Sequence, residues 1–148
     1  GHASLYSVGM DSYKHIETSI GDYIAGHYAA VVEIGVGNNP GAAIIIHDAG
    51  IPIRCTDIRP RDLPAGMDFV IDDVFEPDLS IYAGVDLIYA IRPAIEMMPA
   101  LIALAQKAGC DLLVYHLGFE FYETGGERID CGVILHRYVR GSETVKER

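Results

Sequence analysis

Apolar residues recur along the chain in two alternating rhythms. From Asp11 to Tyr28 they fall at Ile16, Ile20, Tyr23, Ile24 and Tyr28, the spacing of a helix with one apolar face, and Asp11 or Ser12 suits its N-cap. Ala29–Ile34 is then apolar except for Glu33 and ends at Gly35. Such a run fits a strand covered on both faces in a parallel sheet. Pro40 to Ala49 reads as a short helix opened by proline and closed by Gly50. Pro52–Thr56 is a second strand, ending at Asp57, and Met67–Ile71 a third. Between them Pro60, Pro64 and Gly66 impose a loop. Glu76 to Gly84 contains Pro77 and is expected to be irregular, with one helical turn. Val85–Ile91 is a fourth strand, broken at Arg92-Pro93, and Ala94 to Ala108 is a helix that Gly109 stops. Asp111–Leu117 is the fifth strand.

Strand and helix in alternation build a parallel sheet with helices on both faces. The expected fold is therefore α/β, a three-layer αβα Rossmann-like arrangement with a mostly parallel sheet. The last third reads differently. Phe119–Thr124, the Gly125-Gly126 pair and Ile129–Val139 predict an antiparallel hairpin on the sheet edge, turning at the glycines. Residues 1–9 are expected to be an expression remnant, with Met10 as the native start, 10–140 one domain and 141–148 a polar tail.

Composition narrows the partners. Half the chain is apolar and 22% charged, which argues against disorder. The longest apolar stretches, such as Ala42–Ile46, fall well short of the ~18 residues that would span a bilayer. Eleven bases against twenty-one acids leave a formal charge of −10, so a nucleic-acid backbone is an unfavourable partner. Between Asp57 and Asp86 lie eight of those acids and two bases. The three cysteines, Cys55, Cys110 and Cys131, lack the paired spacing of a zinc site and sit in apolar runs. Free thiols and the lack of a charged-then-apolar leader predict a reducing cytoplasm. A small-molecule ligand is the expected partner, no metal is expected, and the chain is compatible with a homo-oligomer.

The chemistry concentrates in Val31-Val32-Glu33-Ile34-Gly35-Val36-Gly37-Asn38-Asn39-Pro40-Gly41, where a buried strand hands over to a helix through a glycine-rich turn. Such a turn lets backbone approach a ligand, and the helix start offers unpaired N–H groups. Glu33 is costly on a buried strand unless paired, either by a ligand cation or by loop amides. Asp57 ends the second strand 24 residues later, the place where doubly wound folds hold a ribose; a turn cap is the alternative. Asp72-Asp73-Val74 closes the third strand, where an acid can accept from an adenine amine beside an apolar neighbour.

Val-Val-Glu33-x-Gly35-x-Gly37, Asp57 and Asp72-Asp73 together resemble the class I S-adenosylmethionine (SAM)-dependent methyltransferase fold, over roughly Asp11 to Leu117. The resemblance implies that Gly35 and Gly37, with Glu33 and Asn38 beside them, pass the methionine part of the cofactor. It implies that Asp57, next to Ile58, holds the ribose, and that Asp72 or Asp73, with Val74, holds the adenine. The small size and the segment Asp86–Pro93 are also similar to an uncharacterised archaeal family of small Rossmann-like proteins. Four departures matter, one being that the helix that usually follows the fifth strand is missing. Asn39 stands in the third glycine's place, where asparagine's tolerance of left-handed backbone is expected to serve. Ile91-Arg92-Pro93 replaces the Asn/Asp-Pro-Pro-Tyr/Phe motif of amino-directed methyltransferases. No separate substrate domain fits the length.

Arg92, at the ligand-binding end of a strand, could clamp an anion of substrate or cofactor, or serve as counter-ion to Asp72, Asp73 or Glu33. His116, near the end of the fifth strand, is the histidine best placed to take a proton; His47 and His136 read as packing or surface residues. No nucleophile elbow or P-loop occurs. The expected function is that of a SAM-binding Rossmann-like protein, a small methyltransferase if catalytic. A nicotinamide-dinucleotide binder and a degenerate, non-catalytic Rossmann module are the alternatives.

Overall fold

The strands expected from apolar runs pair through their backbones into one sheet. The computed structural model describes residues 2–141, with side chains from residue 14 onward. In chain order its elements are α1 (His2–His27), β1 (Val31–Ile34), α2 (Gly41–Asp48), β2 (Ile53–Asp57), β3 (Asp68–Ile71), β4 (Leu87–Ile91), α3 (Met98–Ala108), β5 (Asp111–Tyr115), β6 (Glu127–Asp130) and β7 (Ile134–Val139). Two 3₁₀ turns, Leu79–Tyr82 and Ile95–Met97, complete it. The sheet order is β3-β2-β1-β4-β5-β7-β6. β1 to β5 run parallel, and β7 and β6 add antiparallel. The chain reverses direction across the sheet between β1 and β4, and ligands of open α/β sheets bind at such a point, beyond the strands' C-terminal ends.

Successive strand residues face opposite layers. Val31, Cys55, Tyr89 and Leu113 meet Ile20 and Ile24 of α1 and Ala42 and Ile46 of α2. Val32, Ile34, Ile88 and Val114 meet Met98, Leu101 and Leu104 of α3, and Tyr82. Each fully buried side chain of this kind contributes about 1.5–3 kcal/mol. The three-layer αβα fold is thus as the sequence predicts, down to the left-handed stop at Gly109 (φ 71°).

Three expectations are corrected. Helix α1 starts at His2 and runs through Asp11 and Ser12, because nothing upstream breaks it; it lacks a proline, and an interior glycine costs only about 1 kcal/mol. The edge hairpin turns at Cys131–Val133, not at Gly125-Gly126. There the Asp130 carboxylate accepts from the Gly132 N–H at 3.0 Å, Cys131 N–H donates to Val133 O, and Gly132 takes φ 104°. Phe119–Thr124 is accordingly loop, and β6 begins only at Glu127. Asn39, finally, is not among the positive-φ residues, so the third-glycine position needs no left-handed backbone. The polar tail beyond Gly141 lies outside the described residues.

Candidate ligand-binding site

The glycine turn after β1 is built from backbone. Gly35 and Gly37 take φ 72° and 56°, conformations that glycine adopts at little cost. The Gly35 and Val36 amides donate to Thr56 O at 2.9 and 3.1 Å, which continues the β1–β2 pairing into the loop. Asp57, at the end of β2, then accepts from the Gly37 amide (2.8 Å) and from the Arg59 amide (3.3 Å). Arg61 approaches the same carboxylate to 3.3 Å as an ion pair and donates to Asn38 Oδ1 at 3.0 Å. Burial alone would raise the Asp57 pKa, but those two amides and Arg61 together hold it below the usual carboxylate range. Asp57 is therefore a fixed anion beside the turn.

A cleft of about 320 Å³ opens above these residues, within the range of small-molecule sites. Gly35, Asp57, Ile58, Asp72, Asp73 and Val74 line it, joined by Ile34, Thr56, Phe75 and Met97. It lies at the C-terminal ends of β1, β2 and β3. A Cβ built at Gly35 meets nothing within 4 Å, so a side chain there would stand in open space. The two neighbouring acids differ. Asp72 accepts from the Tyr82 hydroxyl (2.6 Å) and the Asp78 amide (3.0 Å), which ties down both its oxygens. Asp73 is exposed and uses one oxygen to accept from the Phe75 amide at 2.9 Å. Phe75 and Met97 were not among the expected site residues; their signal is position, directly after β3 and after the β4 break.

Glu33 does not join them. It alternates out of the Val32 and Ile34 face and is buried toward α1 and α2, where the Tyr89 hydroxyl donates to its Oε1 at 2.6 Å. Burial pushes its pKa up to about 8 against the lowering effect of Tyr89, with Glu17 raising it further. At neutral pH it is largely a neutral acid, so it calls for neither a ligand cation nor loop amides. The carboxyls of Glu33 and Asp57 do not converge on one cleft. Glu17 was not foreseen, although it falls on the same α1 stripe as Ile20 and Ile24. Its Oε2 accepts from the Ala42 amide at 3.0 Å, at the start of α2, while Oε1 has no partner. Burial raises its pKa, opposed by the Ala42 amide and the charge of Arg92.

Arg92 and His116 also lie outside the cleft lining. Arg92 takes φ 54°, its N–H donates to Tyr115 O at 2.6 Å, and its guanidinium lies 5.3 Å from the Tyr115 ring centroid. Its charge favours ionisation of Glu17, a carboxylate that the sequence reading did not name. His116 is buried on the hairpin side. Its Nε2 is 2.7 Å from the Tyr138 hydroxyl, whose oxygen accepts from the Tyr122 amide at 2.9 Å. Its Nδ1 has no partner. Burial, then the nearby His136, pulls its pKa down. Among the described residues no group of three or more histidine, cysteine or acidic side chains could hold a metal ion, and no helix is long and apolar enough to cross a membrane.

The fold is a methyltransferase-like Rossmann fold. A SAM-dependent methyltransferase from Archaeoglobus fulgidus superposes with a TM-score of 0.53 at 14% identity, over 77% of this chain and 57% of that one. A SAM-bound amino pentose methyltransferase from Micromonospora echinaspora gives 0.57 at 17% identity, over 86% and 62%. The chain spans about six-tenths of the length of these structures, and the likeness is one of fold. The chain belongs to the uncharacterised protein family UPF0146, whose model matches residues 18–128. A UPF0146 protein of Archaeoglobus fulgidus is 38% identical over 105 residues, 70% of this chain and 81% of the relative. One from Pyrococcus horikoshii is 40% identical over 112 residues, 73% and 80%.

Proposed function

We propose that the cleft binds SAM and that the protein is a small methyltransferase. The observation that carries this reading is the gathering of Gly35, Asp57, Asp73 and Val74 around one open cleft at the strand ends. The residues present fit the group. Asp57, held ionised, accepts from ribose hydroxyls through lone pairs its internal partners leave over. Ile34, Ile58, Val74, Phe75 and Met97 give apolar walls for a flat ring. Asp73, exposed and with one internal partner against the two of the half-buried Asp72, accepts from an exocyclic amine. When bound, SAM supplies an electrophilic methyl group. The protein's part is alignment and exclusion of water, which needs no acid–base pair. Three free cysteines, two of them buried, support a reducing, cytoplasmic setting.

The dinucleotide alternative meets an obstacle at α2. A pyrophosphate would sit at the start of that helix, where the Glu17 carboxyl already takes the Ala42 amide. A degenerate module would have its own side chains filling the cleft, and here it is open. Calorimetry with SAM and S-adenosylhomocysteine, with amide shifts at Gly35, Gly37 and Asp57, tests the reading. Binding of both with shifts at those residues is expected, together with no response to NADH by fluorescence. Absence of heat and of shifts at millimolar ligand would overturn it.

A further inference from the structure

The end of the sheet that carries the cleft is also where large apolar side chains stand in water. Ile58 follows β2, Phe75 follows β3, Ile95 follows β4, and Leu117, Phe119 and Phe121 follow β5; all are exposed, Phe119 completely. Ile71, the last residue of β3, and Ile134, the first of the antiparallel β7, stand at the same end. Among the described residues that leaves Leu79 as the one other exposed large apolar side chain. Exposed apolar residues gathered this way mark an interaction surface.

Charge selects the partner. Asp62, Asp73, Glu76, Glu96, Glu120 and Glu123 are exposed on the same loops, and Arg59 is the one exposed base there among the described residues. A nucleic acid, an anionic lipid surface or a second copy of this face would each bring negative charge against negative charge. A chain that offers both positive charge and apolar side chains meets complementary groups of both kinds. Among the described residues no helix follows β5 or joins β2 to β3, so loops alone make those connections. We propose that this end is a docking surface for a cationic polypeptide bearing apolar side chains, which closes over the cleft. The docking stands apart from the cofactor reading and does not rest on it.

Three fluorescein-labelled peptides of equal length test this by anisotropy: alternating lysine–leucine, lysine–serine and glutamate–leucine. The lysine–leucine peptide is expected to bind at least tenfold more tightly than lysine–serine, to weaken as salt rises, and to shift amides at residues 117–121 and at Phe75. The glutamate–leucine peptide is expected not to bind. Phe119→Ser with Phe121→Ser, and separately Glu96→Lys with Glu120→Lys, should each weaken the lysine–leucine peptide at least tenfold without changing the thermal melt. Equal binding of the lysine–leucine and lysine–serine peptides, affinity unchanged in both double variants, or shifts confined elsewhere would overturn the proposal. So would sedimentation showing a dimer that the Phe119→Ser, Phe121→Ser variant dissociates. SAM calorimetry on the same samples separates the two readings: peptide docking without SAM binding removes the cofactor and leaves the surface, and the reverse removes the surface alone.

Discussion

Asp57 is held as an anion by the protein before any ligand arrives, since Gly37, Arg59 and Arg61 all point positive charge or N–H dipoles at it. Asp57→Asn keeps the shape but removes the charge, and turns one acceptor into a donor facing one of those groups. The expected result is a SAM dissociation constant raised at least tenfold, about 1.4 kcal/mol, with about 1–3 kcal/mol lost in urea unfolding from the mismatched donor. Calorimetry at native affinity would contradict the ribose role. The position of Asp57 at the cleft was legible because it is the last residue of a strand beside a glycine turn. Glu33 was legible as a buried acid in need of a partner, but the partner itself was not legible. Its partner, Tyr89, is a neighbour only through the β1–β4 register, which no local pattern carries. Glu17 lay open to a helical-stripe reading, since an acid between Ile16 and Ile20 on an apolar face demands a partner.

At the scale of elements, β1, β2, β4 and β5 were readable because burial on both faces leaves mostly apolar runs, while β3, part-exposed at the sheet edge, showed only as a short apolar run; Gly50 and Gly109 mark where helices stop. The hairpin was misread because two turn signals competed. Gly125-Gly126 resembles a hairpin turn, yet a Cβ at Gly126 would lie 2.4 Å from Arg137 O, so these glycines serve the close passage of the loop over β7. The loop is then fastened by ring side chains. Tyr138 receives the Tyr122 amide and meets His116, and His136 Nδ1 lies 2.7 Å from Gly125 O. Tyr138→Phe removes two of these bonds at once. It should cost about 1–3 kcal/mol and speed hydrogen exchange at the Tyr122 amide while α2 and α3 keep their protection. Unchanged exchange at Tyr122 would mean that the loop is held by other contacts.

For the whole molecule, two buried groups set opposing pH slopes. Glu33 ionises near 4.5 in an open chain but only near 8 in the fold. Between those values the native state binds the extra proton, and stability falls as pH rises. His116 is the reverse case. The open chain takes a proton below about 6.5 and the fold resists it, so stability falls as pH drops below that value. The two oppose each other from pH 4.5 to 6.5, with the raised Glu17 pKa acting in the same sense as Glu33, and above 6.5 Glu33 contributes a slope of up to about 1.4 kcal/mol per pH unit. Urea unfolding from pH 6.5 to 8 should therefore show the protein weakening steadily. Glu33→Gln keeps an acceptor for the Tyr89 hydroxyl but has no proton to lose, and it should flatten that slope without altering the acid limb set by His116. A slope unchanged in Glu33→Gln would place the titrating group elsewhere. Glu33 would then be an ionised carboxylate on a buried strand, and its exclusion from ligand binding, which rests on its being neutral and already partnered, would fall with it.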